Sequence, residues 1–83
     1  MKILYFAWLK EKIGKSEEDL PLPDGVENVE GLIRFLKTRD ETYANAFADS
    51  ELVRVAVNME HVSFSEKLQD GDEVAFFPPV TGG

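Results

Sequence analysis

Two runs at opposite ends of the chain look like strands with no polar face. From Lys2 to Leu9, Ile3, Tyr5, Ala7 and Leu9 alternate with Leu4, Phe6 and Trp8, and the last such run is Val74, Ala75, Phe76 and Phe77. A strand that is apolar on both sides is stable only where both sides are covered, in the middle of a sheet. The two runs are therefore expected to lie side by side and parallel at the centre. With 83 residues this is one domain, and a chain of that size buries only roughly 60 to 65% of its unfolded surface, leaving a thin core with little room for a deep catalytic cleft.

The segments between these runs supply one strong helix and several short elements. "KEKIGKSEE" reads as a turn punctuated by Gly14. Leu20 and Leu22 alternate with Pro21 and Pro23, which permits only a short edge strand. "PDG" at 23–25 is a turn, and Asn28 is placed to cap "VEGLIRFLKTR", where Val29, Leu32, Ile33 and Leu36 share one face. Residues 41–49, with Tyr43 and Phe47 four apart, read as a short second helix or a loop turn. "ELVRVAVN" alternates as a strand with Val53, Val55 and Val57 on one face; "NMEH" at 58–61 turns the chain into a short strand "VSF". An Asp-Gly turn at 70–71 precedes the last strand. The expected architecture is α+β: a mixed sheet of four to five strands packed on one main helix.

Composition narrows the functional classes. Sixteen Asp and Glu against nine Lys and Arg give a net charge of −7, which disfavours nucleic acid or an anionic membrane and favours a partner with basic patches. Cysteine is absent, so neither a disulfide, a thiolate metal site nor a protein persulfide can form on this chain. "ILYFAWL" is too short for a membrane span and lacks a cleavage site after it, so a cytoplasmic protein is the expectation. The single histidine, His61, rules out a two-histidine metal site and reads as a solvated turn residue rather than a catalytic base. "EED" at 17–19 and "DGDE" at 70–73 lack calcium-loop spacing and read as a solvated face and a hairpin turn. No metal site and no self-contained catalytic set is expected.

The end of the chain is different in kind. Pro78 and Pro79 stop the last strand and send the chain out extended, and β-branched Val80 and Thr81 favour continued extension. Gly82 and Gly83 carry no side chain, so this backbone can enter a channel closed to any other residue. Six residues beyond Phe77 reach about 20 Å. The domain is accordingly divided into a globular body, residues 1–77, and an extended, flexible tail, residues 78–83, that delivers the Gly83 carboxylate into a partner's active site.

"GDEVAFFPPVTGG" at 71–83, together with "ILYFAWLKEKIG" and "VAVN", resembles the small subunit of molybdopterin synthase, a family of ubiquitin-like sulfur carriers with the β-grasp fold. That resemblance implies that an adenylating enzyme uses ATP to activate Gly83, that a sulfur donor converts it to a thiocarboxylate, and that the tail then enters a large subunit. There sulfur passes to cyclic pyranopterin monophosphate, within a heterotetramer, by the large subunit's own catalytic residues. No cofactor is bound by this chain in that scheme, and Pro78, Pro79, Val80, Thr81 and Gly82 position and admit the reacting Gly83. Phe76, Phe77 and Lys10 are interface candidates; of the two phenylalanines, Phe76 shares a face with Val74 and one of the pair faces outward. Lys10 stands where the family more often has arginine, which bears on any bidentate contact there. Trp8 reads as core or interface. A carrier for thiazole or another thio-cofactor, a ubiquitin-like protein modifier, and a β-grasp binding module with a passive tail are the alternatives.

Overall fold

The computed structural model describes residues 1–79. Five strands form one mixed sheet: β1 (Lys2–Tyr5), β2 (Glu17–Asp19), β3 (Arg54–Val57), β4 (Glu60–Val62) and β5 (Glu73–Phe77), in the spatial order β2-β1-β5-β3-β4. β1 and β5 are adjacent and parallel, with Ile3 opposite Val74 and Tyr5 opposite Phe76. β3 runs antiparallel to β5, so the two most apolar runs occupy the interior of the sheet and the more polar β2 and β4 its edges. This is the α+β, β-grasp arrangement.

Three helices, α1 (Ala7–Ile13), α2 (Val29–Arg39) and α3 (Glu41–Ala46), pack on the sheet with the inward residues Ile3, Tyr5, Val55, Val57, Val74 and Phe76 in a single core. α2 is the longest. Its N-terminus is capped by Asn28, whose Oδ1 accepts from the Gly31 amide at 2.8 Å, and Val29, Leu32, Ile33 and Leu36 are all buried. α3 decides the question left open at 41–49: Asp40 caps it by accepting from the Thr42 amide at 2.6 Å, and Tyr43 and Phe47 turn inward.

The chain departs from the sequence reading in three places. The first strand stops at Tyr5 rather than Leu9, and "KEKIG" is helix rather than turn. Phe6 stays extended, Ala7 enters the left-handed region at φ 54°, and α1 then buries Leu9 and Ile13 at i, i+4 spacing. Gly14 ends it at φ 88° with its amide donating to the Lys10 carbonyl. Three alternating residues fit either period, and burial of Ile13 selects the helix. Secondly, the edge strand is Glu17–Asp19, not the Leu20–Leu22 stretch. Pro21 and Pro23 cannot extend the ladder, so pairing is completed before them, and Leu20 and Leu22 pack against the border of the core. Thirdly, the β3–β4 turn is confined to Asn58 and Met59, both at positive φ as a tight two-residue hairpin requires. His61 is thus a strand residue opposite Ala56, not a turn residue.

Phe76 sits at the centre of the core, fully buried, with its ring near-parallel to Tyr5 at 6.3 Å and edge-on to Phe47 at 5.0 Å. Phe76→Ala is expected to cost about 3–5 kcal/mol, a large share of the roughly 5–15 kcal/mol that holds such a domain together. Urea unfolding followed by circular dichroism measures it as a fall in midpoint at unchanged slope.

Candidate functional site

The site is the place where the chain leaves the sheet. β5 is the third of five strands, so its C-terminal end emerges from the middle of the sheet rather than from an edge. The ladder closes at Phe77, opposite Arg54, and Pro78 and Pro79 follow with no amide to continue it. The exit is braced by the Phe6 amide, which donates to the Phe76 carbonyl at 3.1 Å. Val80, Thr81, Gly82 and Gly83 lie outside the described residues.

Strand alternation settles the two phenylalanines. Phe76 points into the core and Phe77 to the opposite face, half-buried, with its ring 5.1 Å from the His61 imidazole. That opposite face carries Leu4, Ala75, Ala56 and His61 in register across four strands, and the helices lie on the other side of the sheet. At the exit Phe77 has apolar company. Phe6 is 47% exposed at the end of β1, and Leu52, 50% exposed, leads into β3 at the same end of the sheet. Lys10 is exposed on α1, about one turn beyond Phe6. Trp8 is partly buried against the core, its ring 5.6 Å from the Lys12 ammonium.

Phe6 was missed as a surface group because a continuous first strand would have covered it. The kink at Ala7 exposes it, and nothing in an alanine signals a left-handed residue.

The largest cluster of ionisable side chains has a structural role. Glu18, read from the sequence as part of a solvated acidic face, has only 11% of its side chain exposed. Its Oε2 accepts from the hydroxyls of Tyr5 at 2.7 Å and Tyr43 at 2.6 Å, and its Oε1 accepts from Arg39 at 2.9 Å, with the Lys15 ammonium at 3.7 Å. Burial pushes the Glu18 carboxyl up, but the bonds from Tyr43, Tyr5 and Arg39 outweigh it and hold the group below the usual carboxylate range. The Tyr5 hydroxyl is pushed up, first by burial and then by the Glu18 carboxylate. Both phenol hydroxyls are occupied, so the cluster ties β2 to α2 and α3. Among the described residues no group of three or more His, Asp or Glu side chains is placed to hold a metal ion, and no helix is long and apolar enough to cross a membrane.

Phe6, Leu52 and Phe77 stand at the end of the sheet from which the chain leaves. The molybdopterin synthase sulfur carrier subunit of Escherichia coli (strain K12) is 41% identical over 83 residues, covering 100% of this chain and 99% of the relative. A solved Pyrococcus furiosus structure, 39% identical and matched over 95% of both chains, superposes with a TM-score of 0.74. The small archaeal modifier protein 1 of Methanosarcina acetivorans is 26% identical, covers 99% of this chain and 94% of its own, and gives a TM-score of 0.67. The ThiS family model matches residues 3–83, and the chain belongs to the ThiS family.

Proposed function

We propose that this chain is the sulfur carrier subunit of a molybdopterin synthase, working through Gly83. The observation that carries the reading is the full-length likeness at 41% identity to a protein of that name, with "FFPPVTGG" at the end of a strand that leaves the centre of the sheet. An adenylating enzyme takes the Gly83 carboxylate onto the α-phosphate of ATP with loss of pyrophosphate. Adenylation is needed because a carboxylate is a poor acyl donor; a sulfur donor then displaces AMP and leaves a thiocarboxylate. In the large subunit that sulfur passes to cyclic pyranopterin monophosphate and the carboxylate is regenerated, so two carriers are consumed for each dithiolene built. Sulfur rides on the terminal carbonyl, in keeping with a chain that has no cysteine.

This reading divides the labour within the chain and with its partners. Residues 1–77 are the body and 78–83 the delivering tail, with Pro78 and Pro79 aiming it and Gly82 admitting it. The large subunit, expected in a heterotetramer, docks on the helix-free face and the exit collar of Phe77, Phe6 and Leu52, because only a partner seated there receives the tail directly. An aromatic anchor at such a rim is a common source of binding energy. ATP belongs to the activating enzyme, catalysis belongs to the large subunit, and a cytoplasmic location goes with both.

The test is the intact mass of the protein after incubation with a molybdopterin-pathway adenylating enzyme, ATP and a sulfur donor. Exchange of one oxygen for sulfur is expected, followed by loss of that sulfur when large subunit and pterin precursor are added. No exchange, under conditions that convert a known carrier, overturns the reading. The likeness to an archaeal modifier protein supports a second reading in which the same adenylate is captured by lysine amines; isopeptide-linked products in place of thiocarboxylate would select it.

A further inference from the structure

The helix-free face of the sheet carries one imidazole, beside the exit of the chain. His61 is the only histidine in the chain. It lies exposed on β4 at the end of the row Leu4, Ala75, Ala56, His61, with Phe77 packed against its ring. Imidazole is the one side chain whose ordinary titration falls between about pH 5 and 8. The charged groups on this face stand mostly away from His61: Lys2, Glu17 and Asp19 lie on β1 and β2, toward the opposite edge of the sheet. Arg54, from β3, turns its guanidinium back onto the carbonyls of Glu51 and Val53 at 3.0 and 3.1 Å. Glu73, from β5, lies at the far end of the sheet, opposite Lys2 of β1 in the strand register. Glu60, from β4 itself, alternates to the other face. Among the described residues, then, no carboxylate is paired with the His61 imidazole to compensate a proton once the face is covered.

We propose that His61 makes docking on this face sensitive to pH: the large subunit seats against the neutral imidazole, and protonation of the ring opposes the complex. Burying a neutral imidazole beside Phe77 removes mainly apolar surface from water, whereas burying the imidazolium without a counter-charge carries a desolvation cost. If the proton must leave before docking, affinity falls about tenfold for each pH unit below the imidazole range. The carrier then binds tightly at neutral pH and is released in acid with its fold intact, since Glu18 holds its charge below the usual carboxylate range.

This inference rests on the carrier reading above, and the experiment separates the two. Binding of the purified large subunit from the same organism is measured by calorimetry at several pH values between about 7.5 and 5.5, with circular dichroism confirming the fold at each. For the unmodified chain Kd is expected to rise about tenfold across that range. His61→Gln, which keeps a polar group but cannot take up a proton, should remove this rise, and His61→Lys should bind weakly throughout. A flat profile for the unmodified chain, or an undiminished rise in His61→Gln, overturns the role of His61 while leaving the carrier reading in place. Absence of a complex at every pH removes the docking reading as well.

Discussion

Deleting Gly82 and Gly83 is expected to abolish sulfur loading and transfer altogether while leaving the domain as stable as the full chain. The two effects separate because they arise in different parts of the molecule. The core is closed by residues up to Phe76, so truncation removes no described packing, whereas the carboxylate proposed to react is moved to Thr81. That residue's β-branched side chain would have to enter a channel suited to bare backbone. Thermal unfolding should give the same midpoint for both chains, and intact mass should show no exchange of oxygen for sulfur in the truncated one. A truncated chain that still supports transfer would return the protein to the class of β-grasp binding modules.

The largest effect on stability away from the central aromatic cluster is expected at Glu18. Glu18→Ala removes three hydrogen bonds at once, leaves the Tyr5 hydroxyl without a partner in the core, and frees Arg39 from the edge strand. An unsatisfied buried donor costs roughly 1–3 kcal/mol, while Arg39, 35% exposed, is left in contact with water and adds little, so a loss of about 3 kcal/mol is expected, or about 12–24 °C in melting temperature for a domain of this size. Tyr43→Phe, which removes a single donor, should cost about 1 kcal/mol. The pH dependence carries a sign. Glu18 has a lowered pKa in the folded state, so its contribution is complete above the ordinary glutamate value of about 4.3 and is lost as pH falls through the lower folded value. Tyr5 and Tyr43 are both raised, by burial first and then by Glu18. Their contribution is present below the ordinary phenol value of about 10 and is lost above it as they ionise. The unmodified chain should therefore lose more stability than Glu18→Ala on acidification below about pH 4.3. Equal melting temperatures for the two chains at neutral pH would remove Glu18 from this role.

Much of the fold was legible in the sequence because it depends on patterns a few residues long. The face formed by Val29, Leu32, Ile33 and Leu36 repeats at the helical period, and Asn28 stands at its cap. The Asp-Gly turn at 70–71 and the alternation of Val53, Val55 and Val57 are equally local. The reading failed at Ala7 and at Glu17–Asp19, where local pattern favours one outcome and long-range packing another. A short apolar run does not reveal that Ile13, further on, has a buried place to fill. An acidic triplet does not reveal that two prolines after it push the strand pairing back onto it.

The candidate site divides in the same way. The prolines, the glycines and the outward alternation of one phenylalanine are properties of consecutive residues, but Phe6 and Leu52 join Phe77 only because β1 and β3 flank β5 in the folded sheet. Glu18 could not have been found from its neighbours in the chain, since its partners Tyr5, Arg39 and Tyr43 lie 13, 21 and 25 residues away. By itself the sequence determined that two strands apolar on both faces must share the middle of the sheet and that the chain leaves from there by way of two prolines to two glycines, because burial of apolar surface and the geometry of proline and glycine act on any short stretch of chain. Only the tertiary structure decided that Phe76 closes the core while Phe77 joins Phe6 at the exit, that His61 faces outward beside it, and that Glu18 binds three distant side chains. Each of those outcomes depends on which strands and helices come to lie side by side.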